Sequence, residues 1–271
     1  MTAARPLFEL RMIGDATERR YRRMRPEVEA LPWGTLDPSA HDPRAVLAAR
    51  KAWTFAAFQE HRTAAACALT LEWLVAARAP LDLIAVATRF PLDEMVHVEM
   101  CARVAMELGG AIALEHDPLH LIPRPKEGLS PLLAAADCVV RYFCVGEAIS
   151  IPLLRGTWKA SRHPLLKGVL ARIVKDEAAH GQFGWTFLDW ALEDLSDDDK
   201  EHLAEVATTT IAELKKSWAL VEKRPRAPRV MQSAVSALAW MDSEQYLALA
   251  KRSLEGKVVG PLRARGIAVE G

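Results

Sequence analysis

The sequence predicts an all-α protein: a four-helix bundle of two helical hairpins joined by one long crossover connection, with further helices at both ends. Three observations carry this. Apolar residues recur with helical spacing nearly everywhere, and runs of alternating apolar and polar residues are scarce. Proline and glycine cluster at a few places that divide the chain into long segments. The links inside the two hairpins are short, whereas residues 110–129 form a connection longer than helix-to-helix links usually are. The 271 residues suffice for one large domain with a sizeable core. It divides into a bundle at about 43–195, an N-terminal extension (1–42) and additional C-terminal helices (196–271).

In chain order, a short charged helix is expected over 15–30, and its arginine run from Arg19 to Arg25 reads as a solvated basic face. Pro32, Gly34 and Pro38 break the chain. The first bundle helix spans 43–78 and ends at Pro80. The second spans 81–108, with Pro91 as an internal kink and Gly109 and Gly110 as its stop. The connection that follows holds Pro118, Pro123, Pro125 and Gly128, and its histidines, His116 and His120, are expected at the surface. A third helix covers 131–159, with a second kink at Pro152, and a fourth covers 165–195 after a turn at 161–164. Ser196 is placed as the N-cap of a fifth helix running to about 223. Pro225 and Pro228 break the chain again, and a last helix spans 243–264, weakened by Gly256 and Gly260.

Lys plus Arg and Asp plus Glu both number 35, so the formal net charge is zero and nothing in the balance calls for nucleic-acid or anionic-membrane binding. No stretch reaches the roughly 18 uncharged apolar residues of a membrane span. Arg5, Glu9 and Arg11 interrupt any signal-peptide core, so a cytoplasmic location is expected. Cys67, Cys101, Cys138 and Cys144 lie in apolar helical stretches without a Cys-x-x-Cys pair, and read as small buried residues.

The chemistry lies in a repeat. The second helix contains Asp93-Glu94-Met95-Val96-His97 and the fourth Asp176-Glu177-Ala178-Ala179-His180, both Asp-Glu-x-x-His. A Glu and a His three apart share a helix face, so both can reach one ion. With 8 histidines in 271 residues, a His at that place after a given Glu is about a 3% event, and here it occurs twice. A zinc protease would need His where Asp93 and Asp176 stand.

The first and third helices should each add a carboxylate. Glu147 is the only charged residue between Tyr142 and Leu154, a costly position unless it is paired or metal-bound; Arg141 is the competing partner. The first helix offers Glu60 and Glu72. Counting back from the hairpin turn, the position facing the Glu94–His97 midpoint is near residue 63 or 64. Glu60 is off that level by about one turn, roughly 5 Å, and Glu72 by roughly 12 Å, which selects Glu60. In the second hairpin the same count points near 144 or 145, and Glu147 fits.

This doubled Glu…Asp-Glu-x-x-His pattern, over residues 60–180, resembles the di-iron carboxylate proteins of the ferritin-like superfamily. The resemblance implies two iron ions, with manganese as the other candidate metal. Glu60 and Glu147 would be terminal ligands, Glu94 and Glu177 bridges, and His97 and His180 would complete one side each. Asp93 and Asp176 would accept the outer histidine N–H groups, which ligating imidazoles need fixed. Imidazole with carboxylate suits Fe(II) and Mn(II) better than soft-metal sites do.

Subgroup markers diverge. Where ribonucleotide reductase small subunits carry a radical tyrosine stands Cys101. Where the methane and toluene monooxygenase hydroxylases carry threonine stands Ile151. Where the para-aminobenzoate N-oxygenases carry a seventh ligand stands Ile173. The expected activity is that of an O2-dependent di-iron monooxygenase or oxidase acting on a small or lipid-like organic molecule. A ferritin- or rubrerythrin-type ferroxidase, peroxide scavenger or metal-handling protein is the alternative, and a scaffold without redox turnover a third. The substrate pocket is placed along Ala64, Cys67, Cys101, Cys144, Ile151 and Gly184, each one or two turns from a ligand. No flavin or iron–sulfur motif is present, so an external electron donor such as a ferredoxin or reductase is expected. The resemblance also allows a homodimer.

Overall fold

The computed structural model describes residues 12–117, 120–223, 229–238 and 241–270, with the side chains of 229–231 left aside. The sequence marks at Arg5, Glu9, Arg11, Pro118, Pro225 and Pro228 lie outside them. The described residues contain helices, turns and connections and no strand.

Side-chain caps mark several of the helix starts. Helix α1 (Asp15–Arg23) and α2 (Pro26–Glu29) replace the single helix expected over 15–30. Pro26 drives Arg25 out of the helical region, to φ −144° and ψ 51°. The side chain of Asp42 accepts the Arg44 N–H at the start of α3 (Pro43–Ala76), with Pro43 in its first turn. The expected second helix is two helices, α4 (Leu81–Ala87) and α5 (Phe90–Glu107). Pro91 does not kink a continuous rod; it sits in the first turn of α5, where its missing N–H has no partner to lose.

Ser130 caps α6 (Pro131–Val139), which passes into a π-helical stretch, Val140–Glu147, and then into α7 (Ala148–Ala160). The departure from α geometry therefore lies upstream of Pro152 and ends on Glu147, a placement common at functional sites. Helix α8 (Pro164–Ala191) follows, and α9 (Asp197–Glu222) opens with a reciprocal capping box between Ser196 and Asp199. Helix α10 (Arg229–Ala237) was not foreseen. The last predicted helix is α11 (Ser243–Ser253), a π stretch (Leu254–Val259) holding Gly256, and α12 (Gly260–Arg263).

Helix α3 lies along α5 and α6, and α8 lies along α7, the π stretch of the third rod and α5. Helices α9 and α11 cover the far side of that third rod. Helix α10 docks on α3, where Trp53 Nε1 donates to the Leu238 carbonyl at 3.1 Å. The connection 110–129 has no helix among its described residues. It is pinned to α3 by Arg50 on Gly110 O and Arg62 on Leu121 O, both 2.8 Å, and His116 packs edge-on against Phe58. His120 is exposed and pairs with Asp117.

The basic run is not uniformly a solvated face. Arg19, Arg20 and Arg23 are exposed, but Arg25 is fully buried and donates to Glu99 of α5 at 2.7 Å; Tyr21 donates to the same carboxylate at 2.8 Å. Among the described residues no helix is long and apolar enough to cross a membrane.

The apolar core is split in two. One part gathers Trp53, Ala57, Met100, Val104, Leu166 and Ile173; the other gathers Leu74, Phe90, Phe143, Phe183, Phe187 and Val258. Along α3 the change falls between Ala57 and Cys67, and along α8 between Ile173 and Phe183. Between the two parts lies a polar layer.

Candidate metal centre

That layer holds the six residues the sequence singles out. Ligand atoms of Glu60, Glu94, His97 and Glu177 lie within 4.8 Å of one another, and so do those of Glu94, Glu147, Glu177 and His180. The two groups share Glu94 and Glu177. Helix periodicity supplies the pairs on α5 and α8, α3 brings Glu60, and the end of the π stretch brings Glu147. Glu72, rejected on level, is exposed.

Each shared carboxylate faces both histidines. Glu94 Oε2 is 3.6 Å from His97 Nδ1, and its Oε1 is 3.1 Å from His180 Nδ1. Glu177 Oε1 is 3.4 Å from His97 Nδ1, and its Oε2 is 3.1 Å from His180 Nδ1. Glu60 Oε2 stands 3.7 Å from His97 Nδ1. Two donors bound at right angles to one ion at about 2.1 Å stand about 3 Å apart, close to these separations. Glu147 is 6% exposed and accepts from Ser150 Oγ at 2.8 Å, besides its place in the cluster; Arg141 pairs with Asp137 instead.

Among the described residues, several of these atoms have no hydrogen-bond partner. Glu94 Oε1 and Oε2, His97 Nδ1, Glu177 Oε2, and His180 Nδ1 and Nε2 are all buried without one. Buried polar atoms go unpartnered rarely, and a convergent set of them fits a bound cation. Hard carboxylate oxygens with imidazole nitrogens are the donor set for a divalent first-row metal.

Electrostatics agree. Burial, with Glu94 and Glu177 adding repulsion, pushes the Glu60 carboxyl up to about 8 despite the opposing His97 contact. Burial and the same two neighbours hold Glu147 well above the usual carboxylate range. Burial works against charge on His180, but contacts with Asp93, Glu177 and Glu94 win and raise it to about 12. His97 is raised in the same way by Asp176, Glu177, Glu60 and Glu94. Burial opposes ionisation of Glu177 too, yet His180 and His97 hold its carboxyl below the ordinary value. A bound cation would supply positive charge to the same buried carboxylates.

The outer imidazole nitrogens turn to the opposite repeat. His97 Nε2 is 3.1 Å from Asp176 Oδ2, and His180 Nε2 is 3.9 Å from Asp93 Oδ2. Two arginines back these acids: Arg89 reaches Asp93 at 3.1 Å and Arg172 reaches Asp176 at 2.7 Å. Both stand four residues before their Asp, so the repeat is in full Arg-x-x-x-Asp-Glu-x-x-His. That signal was readable and is missing from the shorter motif. So is Phe90, whose ring centroid lies 4.2 Å from that of His180.

The six residues assigned to a pocket divide. Cys67 is placed where its thiol feels Glu94, Glu147 and Glu177, and Cys101 where it feels Glu60 and Glu94; burial is the larger influence and raises both thiols well above their ordinary value. Ala64 and Ile151 are buried, and Ile151 Cδ1 lies against Gly181. Gly184 meets Cys144 and Phe143 at a close helix crossing, where an added Cβ would come within 2.7 Å of Phe143 Cβ.

No protein-family model matches the chain, and no curated protein sequence matches it.

Proposed function

We propose that the chain is a ferritin-like di-iron carboxylate enzyme that uses O2 to oxidise a small or lipid-like organic molecule. The observation that carries this reading is the doubled ligand set, in which Glu94 and Glu177 each turn one oxygen to His97 and the other to His180. Glu94 and Glu177 would be shared by two ions, with Glu60 and His97 completing the donors for one and Glu147 and His180 those for the other. An iron pair, when bound, supplies the electrons that reduce O2 and the oxidising power delivered to the substrate.

The chain's own part is geometry and exclusion of water. Asp176 holds the His97 ring in place through its far nitrogen. Phe90, Phe143 and Phe183 form an aromatic wall beside His180. The two apolar core halves close the layer above and below. Ser150 fixes one oxygen of Glu147. Electrons come from outside the chain, from a ferredoxin or reductase.

The test is O2 uptake by the anaerobically Fe(II)-loaded protein, with and without a panel of aromatic and acyl compounds. Uptake that one compound accelerates, with an oxidised product formed from it, supports the proposal. Fe(II) oxidation with no organic product points to a ferroxidase instead. No O2 uptake contradicts both.

A further inference from the structure

The two copies of Arg-x-x-x-Asp-Glu-x-x-His are alike in sequence and unequal in surroundings. In one, Arg172 is only 10% exposed, and its Nε donates to Asp176 Oδ2 at 2.7 Å. Its Nη1 is held by Glu27 of α2, and the same Asp176 oxygen lies 3.1 Å from His97 Nε2. A run of charge-assisted contacts therefore links the N-terminal extension to His97. In the other copy Arg89 is 66% exposed, and the acid it reaches, Asp93, stands 3.9 Å from His180 Nε2, beyond hydrogen-bond distance.

A ligating imidazole whose far nitrogen is fixed is preorganised, so less ordering opposes metal binding. We infer that Arg172, clamped by Glu27, is a positioning residue that makes the Glu60–His97 half of the centre bind metal more tightly than the Glu147–His180 half, so that the two halves fill in order. The inference rests on the two-metal reading above. It adds an order of filling and assigns Glu27, on a separate helix outside the bundle, a role in metal affinity.

The experiment titrates Mn(II) into the metal-free chain and follows the free-ion electron paramagnetic resonance signal. The wild type should show two steps differing at least about tenfold in Kd. Arg172→Gln should weaken the Glu60–His97 step by no more than the roughly 10- to 100-fold expected for a direct partner of a metal ligand, and Glu27→Ala should weaken it by less, so that the two steps draw together while the affinity of the Glu147–His180 half is unchanged. Arg89→Gln should leave the first step in place. The unfolding midpoint of the metal-free protein should move no more in Glu27→Ala than in Arg89→Gln, which separates positioning from general stability. Glu27 is half exposed, so its variant remains informative if Arg172→Gln fails to fold. Two ions bound with an unchanged first step in Glu27→Ala, or a first step weakened equally by Arg89→Gln, overturns this inference alone. Fewer than two ions in the wild type overturns the two-metal reading and this inference with it.

Discussion

His97 of α5 turns its Nε2 to Asp176 of α8, 3.1 Å away, and so joins the two halves of the repeat across the centre. The acid of each motif serves the histidine of the other, although the Asp93–His180 contact is looser at 3.9 Å. Asp176→Asn should therefore lower metal affinity roughly 10- to 100-fold, and Asp93→Asn by less. Calorimetric titration of the two variants side by side checks this; a larger loss in Asp93→Asn would contradict it.

Metal loading and pH should be coupled with a definite sign. Glu60 is raised from 4.5 to about 8 and His180 from 6.5 to about 12. Each folded-state value lies above the unfolded one, so each contribution is fully present below the unfolded value and is lost as pH rises toward the folded value. The metal-free protein should lose stability from about pH 4.5 to 8 through Glu60, and further above pH 6.5 through His180. Metal displaces those protons, so the rise in Tm on adding Mn(II) should grow between pH 5 and 8. A metal-induced rise that is constant or shrinks over that range would contradict the account.

The N-terminal extension is tied down by a buried ion pair. Arg25→Ala leaves Glu99, 3% exposed, with Tyr21 and the more distant Arg103 as partners. The expected loss is about 3 kcal/mol, and replacing both residues by Arg25→Met and Glu99→Leu should recover most of it. Urea unfolding of the single and double variants measures this; a single variant as stable as the wild type would contradict it.

Two glycines on α8 should respond differently to alanine. At Gly184 the new Cβ meets Phe143 Cβ at 2.7 Å and the Cys144 backbone nitrogen at 3.3 Å, neither of which can swing away. A loss of about 1–3 kcal/mol is expected. At Gly181 the nearest atom, at 2.5 Å, is the movable end of Ile151, and alanine's better helix propensity offsets the adjustment. Near-neutral stability is expected there. Thermal unfolding of both variants decides it, and equal losses would contradict the difference.

Much of this architecture is legible in the sequence, because helix starts and ligand spacings are local. Asp42-Pro43, Ser130-Pro131 and Ser196 mark helix N-termini by chemistry confined to a few residues. The Glu-x-x-His pairs need only the helical repeat, and Glu60 needed only a count from the turn. What depends on tertiary packing was not legible. Pro91 is compatible with a kink or with a helix start, and only the packing of Phe90 in the core shows which. Arg25 reads like its exposed neighbours until α1 and α2 fold back onto Glu99. That Asp176 serves His97 and not His180 depends on how α5 faces α8. The arginines at 89 and 172 are a different case, since their spacing is local and equal in both copies.

The central claim is a paired centre whose halves share Glu94 and Glu177, and the iron bound per chain in the wild type and in Glu147→Ala tests it most directly. Anaerobic loading with Fe(II) should give two ions per chain in the wild type and only one tightly held ion in Glu147→Ala. Two ions bound to Glu147→Ala at unchanged affinity, or fewer than two bound to the wild type, would contradict it.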